Sequence, residues 1–220
     1  MGASDDPVGP GTSRTYRSRL REERAADTQR RIAMAAREMF AEHGFGGTTV
    51  TGIAQRAGVA APTVYATFGS KGAILRALLM QMEHDADGAG WAQRIADETK
   101  PHGKLVAFAQ WTTALFSSSK VTILAVRGAT GDPAIIKLRD EGDRHRREGL
   151  RPVIASLAQV HALRHELSEQ RALDRAWILT GVEPYLSATE GCGWTDEEYA
   201  QWLGALLQEQ LLRPGGDISA

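Results

Sequence analysis

The stretch TTVTGIAQRAGVAAPTVYATFGSK, Thr48 to Lys71, decides the fold of this 220-residue chain. Val50, Ile53, Ala54 and Ala57 recur at i, i+3, i+4 and i+7, the single apolar stripe of a short helix. Gly58 follows at the place where a residue that adopts a left-handed backbone cheaply can end a helix. Val59 turns inward, and Pro62 fits the first turn of a second helix, where its missing N–H has no partner in any case. Val64 and Phe68 are four residues apart and face the core together, which leaves Thr63, Tyr65, Ala66 and Thr67 outside. An outer face of hydroxyls and a methyl, with no acid, suits the major groove of DNA. Hydroxyls bond phosphates or base edges, and methyls meet the thymine methyl.

Working outward, a helix is expected from about Asp27 to His43, with Ile32, Ala35, Ala36, Met39 and Phe40 on one stripe and Gly44 as its stop. Another begins after Ser70 and runs to about Asp87, burying Ile74, Leu75, Leu78, Leu79 and Met82; Gly88 and Gly90 close it.

Over residues 28 to 80 the chain closely resembles the tetracycline-repressor (TetR) family of bacterial transcription regulators. The resemblance rests on Phe40 to Phe45, Thr48 to Val50, Ile53, Ala54, Ala57 to Val59, Thr63 to Tyr65, Phe68, Ser70, Lys71 and Leu75. A helix pair with Gly-Val at its turn is common, so the full set of positions carries the match. The resemblance implies phosphate contacts from Thr63, Tyr65 and Lys71, and it places Thr49, Thr51, Ala61, Pro62, Ala66 and Thr67 near base edges or the adjoining backbone. Two positions depart from the usual pattern. Ala60 replaces a frequent serine cap worth about 1 kcal/mol, and Ala61 replaces a frequent lysine or glutamine, removing a polar reader.

Charge is distributed to match. Residues 1–76 hold 11 Lys or Arg against 7 Asp or Glu, a balance of +4, and the remainder holds 15 against 20, a balance of −5. Arg14, Arg17, Arg19, Arg21 and Arg24 form a basic cluster ahead of the first helix. It reads either as an arm that follows phosphates or enters the minor groove, or as a solvated tail. Residues 1–13, rich in Gly, Pro, Ser and Asp, read as disordered. Apolar runs such as Ala77 to Met80 fall far short of the roughly 20 residues that span a bilayer. The start of the chain lacks the basic and apolar regions of a signal peptide. A cytoplasmic location is expected, without membrane contact.

The rest reads as helices: near Trp91 to Glu98, stopped by Pro101; Lys104 to Ser117; Val121 to Gly128; Pro133 to Glu148; Pro152 to Leu163; Ser168 to Glu190, kinked by Pro184; and a last helix to about Leu212. Thr195 and Glu198 form the S/T-x-x-E capping box of that last helix. Tyr199, Trp202, Leu203, Leu206, Leu207 and Gln210 give it a wide apolar stripe with one polar member. Such a stripe serves either its own subunit's core or a second subunit. The resemblance favours the latter, a homodimer through Leu173 to Leu186 and Tyr199 to Leu211, which would set two recognition helices one DNA turn apart on a palindrome. It also implies a small-molecule pocket in the C-terminal helices, with Phe108, Trp111, Phe116, Trp177 and Tyr185 best placed to line it and an apolar or aromatic effector favoured.

Catalytic readings are weaker. His161 and His165 are four apart, with His145 as a third candidate, but no carboxylate completes a zinc motif. Cys192 between Gly191 and Gly193 has no identifiable base, and as the single cysteine it permits no internal disulfide. No cofactor or metal is expected, and no enzyme. The fold expected is all-α: an arm or disordered segment at 1–26, a three-helix helix-turn-helix domain at 27–76, a helical effector-binding and dimerisation domain at 77–213, and a flexible tail at 214–220. The function expected is a repressor released from a palindromic operator by an effector. An activator, a corepressor-dependent regulator, or an architectural, ligand-independent DNA-binding module stand as alternatives.

Overall fold

Thr49 opens the decisive stretch as a helix cap: its hydroxyl accepts from the Gly52 N–H at 3.0 Å, and α2 runs Val50–Ala57 behind it. A computed structural model of the protein describes residues 11–129, 131 and 133–214, and for residues 11–15, 17, 83–85 and 134 it describes the backbone alone. Gly58 ends α2 in the left-handed region, φ 65° and ψ 37°, as its position requires. α3 follows over Ala61–Phe68 with Pro62 in its first turn, and Ala60 offers no side-chain cap. Before them, α1 spans Gly11–Gly47, interrupted at Gly44, whose φ of 66° and ψ of 176° lie outside the helical region. α4 spans Lys71–Asp85. The described residues contain no strand.

The chain divides into two compact units, Met1–Ile74 and Leu75–Ala220. In the first, Ile32, Ala36, Phe40, Ile53, Ala54, Val64 and Ile74 are buried together as the core. Polar groups then fix the helix ends against that core. The guanidinium of Arg31 donates to the Ala57 and Gly58 carbonyls at 2.5 and 3.2 Å, capping α2 from α1. The buried Thr48 hydroxyl donates to Gly44 O at 2.7 Å, with Met39 O at 3.0 Å. Lys71 donates its ammonium to Phe45 O at 2.5 Å and Thr48 O at 2.8 Å and sits 4.2 Å from the Phe45 ring centroid.

The second unit is built on α5 (Gly88–Asp97), α6 (Pro101–Ser118), α7 (Lys120–Gly128), α8 (Pro133–Gln159), α9 (Glu169–Leu179), α10 (Val182–Leu186) and α11 (Asp196–Leu211). Leu105, Phe108 and Ala109 of α6 meet Leu150, Ile154 and Leu157 of α8, Leu173 of α9, Tyr185 of α10, and Tyr199, Leu203, Leu207 and Leu211 of α11 in one apolar cluster. The capping box of α11 is complete: Thr195 accepts from Glu198 N, and Glu198 accepts from Thr195 N at 2.7 Å. The loop after α8 is tied to the end of α11 by a short antiparallel pairing, Arg164 N to Leu211 O and Arg213 N to Ala162 O.

Several expectations are corrected. Residues 11–26, expected as a basic arm or a disordered segment, are helical and belong to α1, while residues 1–10 lie outside the described residues. Gly88 and Gly90 do not close α4. They form the first turn of α5, where the Asp87 carboxylate accepts from Gly90 N. Pro101 starts α6 rather than stopping α5, in the position where a proline loses no bond. α8 is one helix, with Gly149 and Pro152 inside it, because Leu150, Val153, Ile154 and Leu157 keep one face buried past the exposed proline. The break after α9 falls at Thr180 and Gly181, ahead of Pro184, which lies in the first turn of α10. α10 continues through Ser187–Gly191 as a wider π turn, with Cys192 N donating to Ser187 O. Residues 215–220 of the expected tail lie outside the described residues.

Two outcomes follow from these contacts. Lys71→Ala strips a charged donor from two carbonyls and should destabilise the protein by about 2 kcal/mol in chemical denaturation, before any DNA is added. An unchanged denaturation midpoint would show that the ammonium holds nothing. Glu198 has its carboxyl held below the usual carboxylate range, chiefly by the Thr195 N–H. Its contribution to stability is therefore present above the unfolded pKa and lost as pH falls through the folded one. Glu198→Ala should destabilise at neutral pH and lose that effect in acid; a penalty independent of pH would contradict this.

Candidate nucleic-acid interface

The α2–turn–α3 unit presents a polar, acid-free surface. On α3, Pro62, Tyr65, Ala66 and Thr67 are exposed, Tyr65 at 55%, while Val64 is buried, and Ala61, Thr63 and Phe68 are half-buried. Thr49 and Thr51 are exposed at the start of α2. The turn at Gly58 thus brings Thr49, Thr51, Ala61, Pro62, Thr63, Tyr65, Ala66 and Thr67 onto two successive helices held by one core. Thr67 is already engaged: its hydroxyl donates to Thr63 O at 2.8 Å, so toward a partner it acts as an acceptor or through its methyl. Lys71 is half-buried and bonded to the carbonyls of Phe45 and Thr48, which gives it a structural role beside the phosphate contact expected of it. The side chains of Arg14 and Arg17 lie outside the described residues, although their backbone is helical. Further along α1, Arg19 pairs with Glu23 at 3.2 Å and Arg30 with Asp27 at 3.3 Å, all exposed. Behind the interface, Arg56 forms a two-pronged pair with Glu42 at 2.6 and 2.7 Å, and the hydrogen bond to Arg56 holds the Glu42 carboxyl below its usual range.

In the second unit, Phe108, Phe116 and Tyr185 are buried and Trp111 and Trp177 half-buried in the apolar cluster. None of these five lines the open groove of ≈ 570 Å³ between α6 and α11, whose walls include Val106, Ala114, Ala200, Gly204 and Ala205. Tyr185 donates to Asp196 Oδ1 at 2.8 Å, and Ser117 donates to Asp196 Oδ2 at 2.5 Å, joining α6, α10 and α11. Leu173, Leu186, Tyr199, Leu203 and Leu207 are buried within their own chain. That corrects their assignment to a subunit interface, since a side chain enclosed by its own chain has no surface left to share. Trp202, 39% exposed, and the half-buried Leu206 remain available.

Sequence reasoning missed Arg146. Its guanidinium donates to Trp177 O at 2.7 Å and Thr180 Oγ1 at 3.2 Å and lies 4.9 Å from the Trp177 ring centroid. Burial pushes its pKa below the usual arginine range. The signal was legible, for Arg146 stands four residues before Leu150 on the buried stripe of α8. His161 and His165 do not share a helix face, because α8 ends at Gln159 and His161 adopts φ 53°. Among the described residues no group of three or more His, Cys, Asp or Glu could hold a metal ion, and no helix is long and apolar enough to cross a membrane.

Residues 32–78 match the family described as bacterial regulatory proteins, tetR family. No curated protein matches the chain by sequence. Among solved structures, the regulator FadR from Bacillus subtilis in complex with stearoyl-CoA is similar with a TM-score of 0.67 and 19% identity, covering 80% of this chain and 96% of its own. The SmeT–triclosan complex gives 0.67 and 16% over 88% and 95% of the two chains. PfmR from Thermus thermophilus, a TetR family transcriptional regulator, gives 0.61 and 23% over 83% and 96%. At these identities the likeness is one of fold. Residues 32–78 thus match the tetR family of bacterial regulatory proteins, and the fold of the chain is similar to that of solved TetR-family transcriptional regulators.

Proposed function

We propose that the protein is a cytoplasmic, dimeric repressor that binds a palindromic DNA operator through α2 and α3 and is released by a small-molecule effector bound in its second unit. The observation that carries the DNA reading is the exposed, acid-free face of α3, Pro62, Tyr65, Ala66 and Thr67, presented by the turn around Gly58. Tyr65 and Lys71 anchor phosphates in this reading, and Arg14 and Arg17 extend the contact along a helical arm. Ala66 and the methyl of Thr67 meet base edges or thymine methyls, because Ala61 supplies no long polar reader.

The effector reading draws on fold relatives that hold triclosan and stearoyl-CoA. An effector loosens DNA binding only by the ratio of its affinities for the DNA-competent and DNA-incompetent states. A palindrome requires two copies of α3 one helical turn apart, hence a homodimer. Trp202 and Leu206 on the outer side of α11 supply its apolar contact, alongside the exposed Ile178 of α9.

Tyr65→Phe should weaken binding to operator and to unrelated DNA by similar factors, whereas replacing Ala66 with Leu should change the preferred base at one position per half-site, at about 1 to 3 kcal/mol per mismatch. A base-by-base operator scan that is identical for wild type and the Ala66 variant would remove Ala66 from readout. Trp202→Glu should yield a folded monomer by light scattering, with operator affinity greatly reduced. Leu203→Asp should instead unfold the chain, because Leu203 is fully enclosed in the protomer. A Trp202→Glu protein that stays dimeric would move the interface elsewhere.

A further inference from the structure

Three polar groups in the core of the second unit are buried without a hydrogen-bond partner among the described residues: Trp111 Nε1, Trp177 Nε1 and the Tyr199 hydroxyl. Tyr199 of α11 belongs to the buried apolar cluster, and Trp111 of α6 and Trp177 of α9 are half-buried against it. Buried polar groups are normally satisfied, so three together in one core call for a specific explanation. Tyr199 is fully enclosed, its ring 5.3 Å from that of Tyr185, yet only Tyr185 has an acceptor, in Asp196. Burial raises the pKa of the Tyr199 hydroxyl and keeps it protonated, so it remains able to donate.

The groups around this core are biased in one direction. An indole N–H can only donate, and Arg146 adds a cation, 17% exposed at its side chain, over the face of Trp177. Nearby acceptors are already taken. Asp174 receives Arg147 and Gln170, Asp196 receives Tyr185 and Ser117, and Asp143 lies 3.4 Å from Arg146. The two indoles and Arg146 therefore offer donors and positive charge to anything that enters beside them, and the Tyr199 hydroxyl can add a third donor.

We propose that the effector is an apolar carboxylate, with its anionic head accepting from Tyr199, Trp177 and Trp111 beside Arg146 and its body among Phe108, Phe116 and Tyr185. This rests on the reading that the second unit binds an effector, and it narrows the effector from an apolar molecule to one carrying an acceptor-rich, negatively charged head. An amine of the same shape would face two indoles that only donate and a guanidinium, with the Tyr199 oxygen as its acceptor.

The test uses the full chain and three probes with one apolar body: 4-phenylbutyrate, 4-phenylbutanol and 4-phenylbutylamine, compared by calorimetry. The carboxylate should bind at least about tenfold more tightly than the amine. Tyr199→Phe and Trp111→Phe should each weaken the carboxylate by about tenfold or less. Tyr199→Phe should leave the thermal unfolding midpoint unchanged or raised, since the hydroxyl it removes has no partner in the protein. Equal or tighter binding of the amine overturns the proposal, as does carboxylate binding that neither variant alters. If only the alcohol binds, the charged head is ruled out while an effector site in the core stands. If none of the three binds to a chain that still binds DNA, the proposal falls.

Discussion

The geometry of the first unit depends on one ammonium group. Lys71, at the first residue of α4, reaches the carbonyls of Phe45 and Thr48, the segment between the kink in α1 and the cap of α2. Carbonyls at a helix end have lost their intrahelical partners and need donors from elsewhere. A single cation with three donors serves two of them and lies against the ring of Phe45. Thr48 adds the reverse contact, donating to carbonyls near the end of α1. The start of α2, and through the Gly58 turn the orientation of α3, is thereby fixed relative to α1. A residue expected to touch phosphate from outside thus also supports the interface from within.

The second unit is organised differently, around apolar contact with a few buried polar groups. Most of these are satisfied locally: Thr112, Thr113 and Thr180 each donate to the carbonyl four residues earlier. Tyr185 finds Asp196. Tyr199, Trp111 and Trp177 find no partner among the described residues, and an orphaned donor costs stability that a wholly apolar side chain would not. Such a core gives up stability where those polar atoms lie.

The helix-turn-helix was legible because its signals are local. An apolar stripe of two turns, a left-handed glycine and a proline at a helix start each act within a few residues, and each is where the sequence placed it. The capping box at Thr195 was legible for the same reason. The prolines of the second unit were misread because a proline's effect depends on what surrounds it. Pro101 begins a helix, and Pro152 sits inside one whose buried face continues past it. Pro184 follows a break that had already occurred at Gly181.

By itself, then, the sequence determined the all-helical class, the turn that sets α3 on the surface, and the chemistry of the face exposed there, because these follow from side-chain periodicity and backbone preference along a single segment. Only the tertiary structure decided which apolar residues of α9 to α11 are enclosed. Leu173, Leu186, Tyr199, Leu203 and Leu207 are enclosed by their own chain while Trp202 is exposed. A helix stripe records that a face is apolar, but not whether the surface that covers it comes from the same chain. The same limit hid the three orphaned donors and the partners of Arg146, for a hydrogen bond is made or missed according to which groups other helices bring within about 3 Å, and no spacing along the chain specifies that.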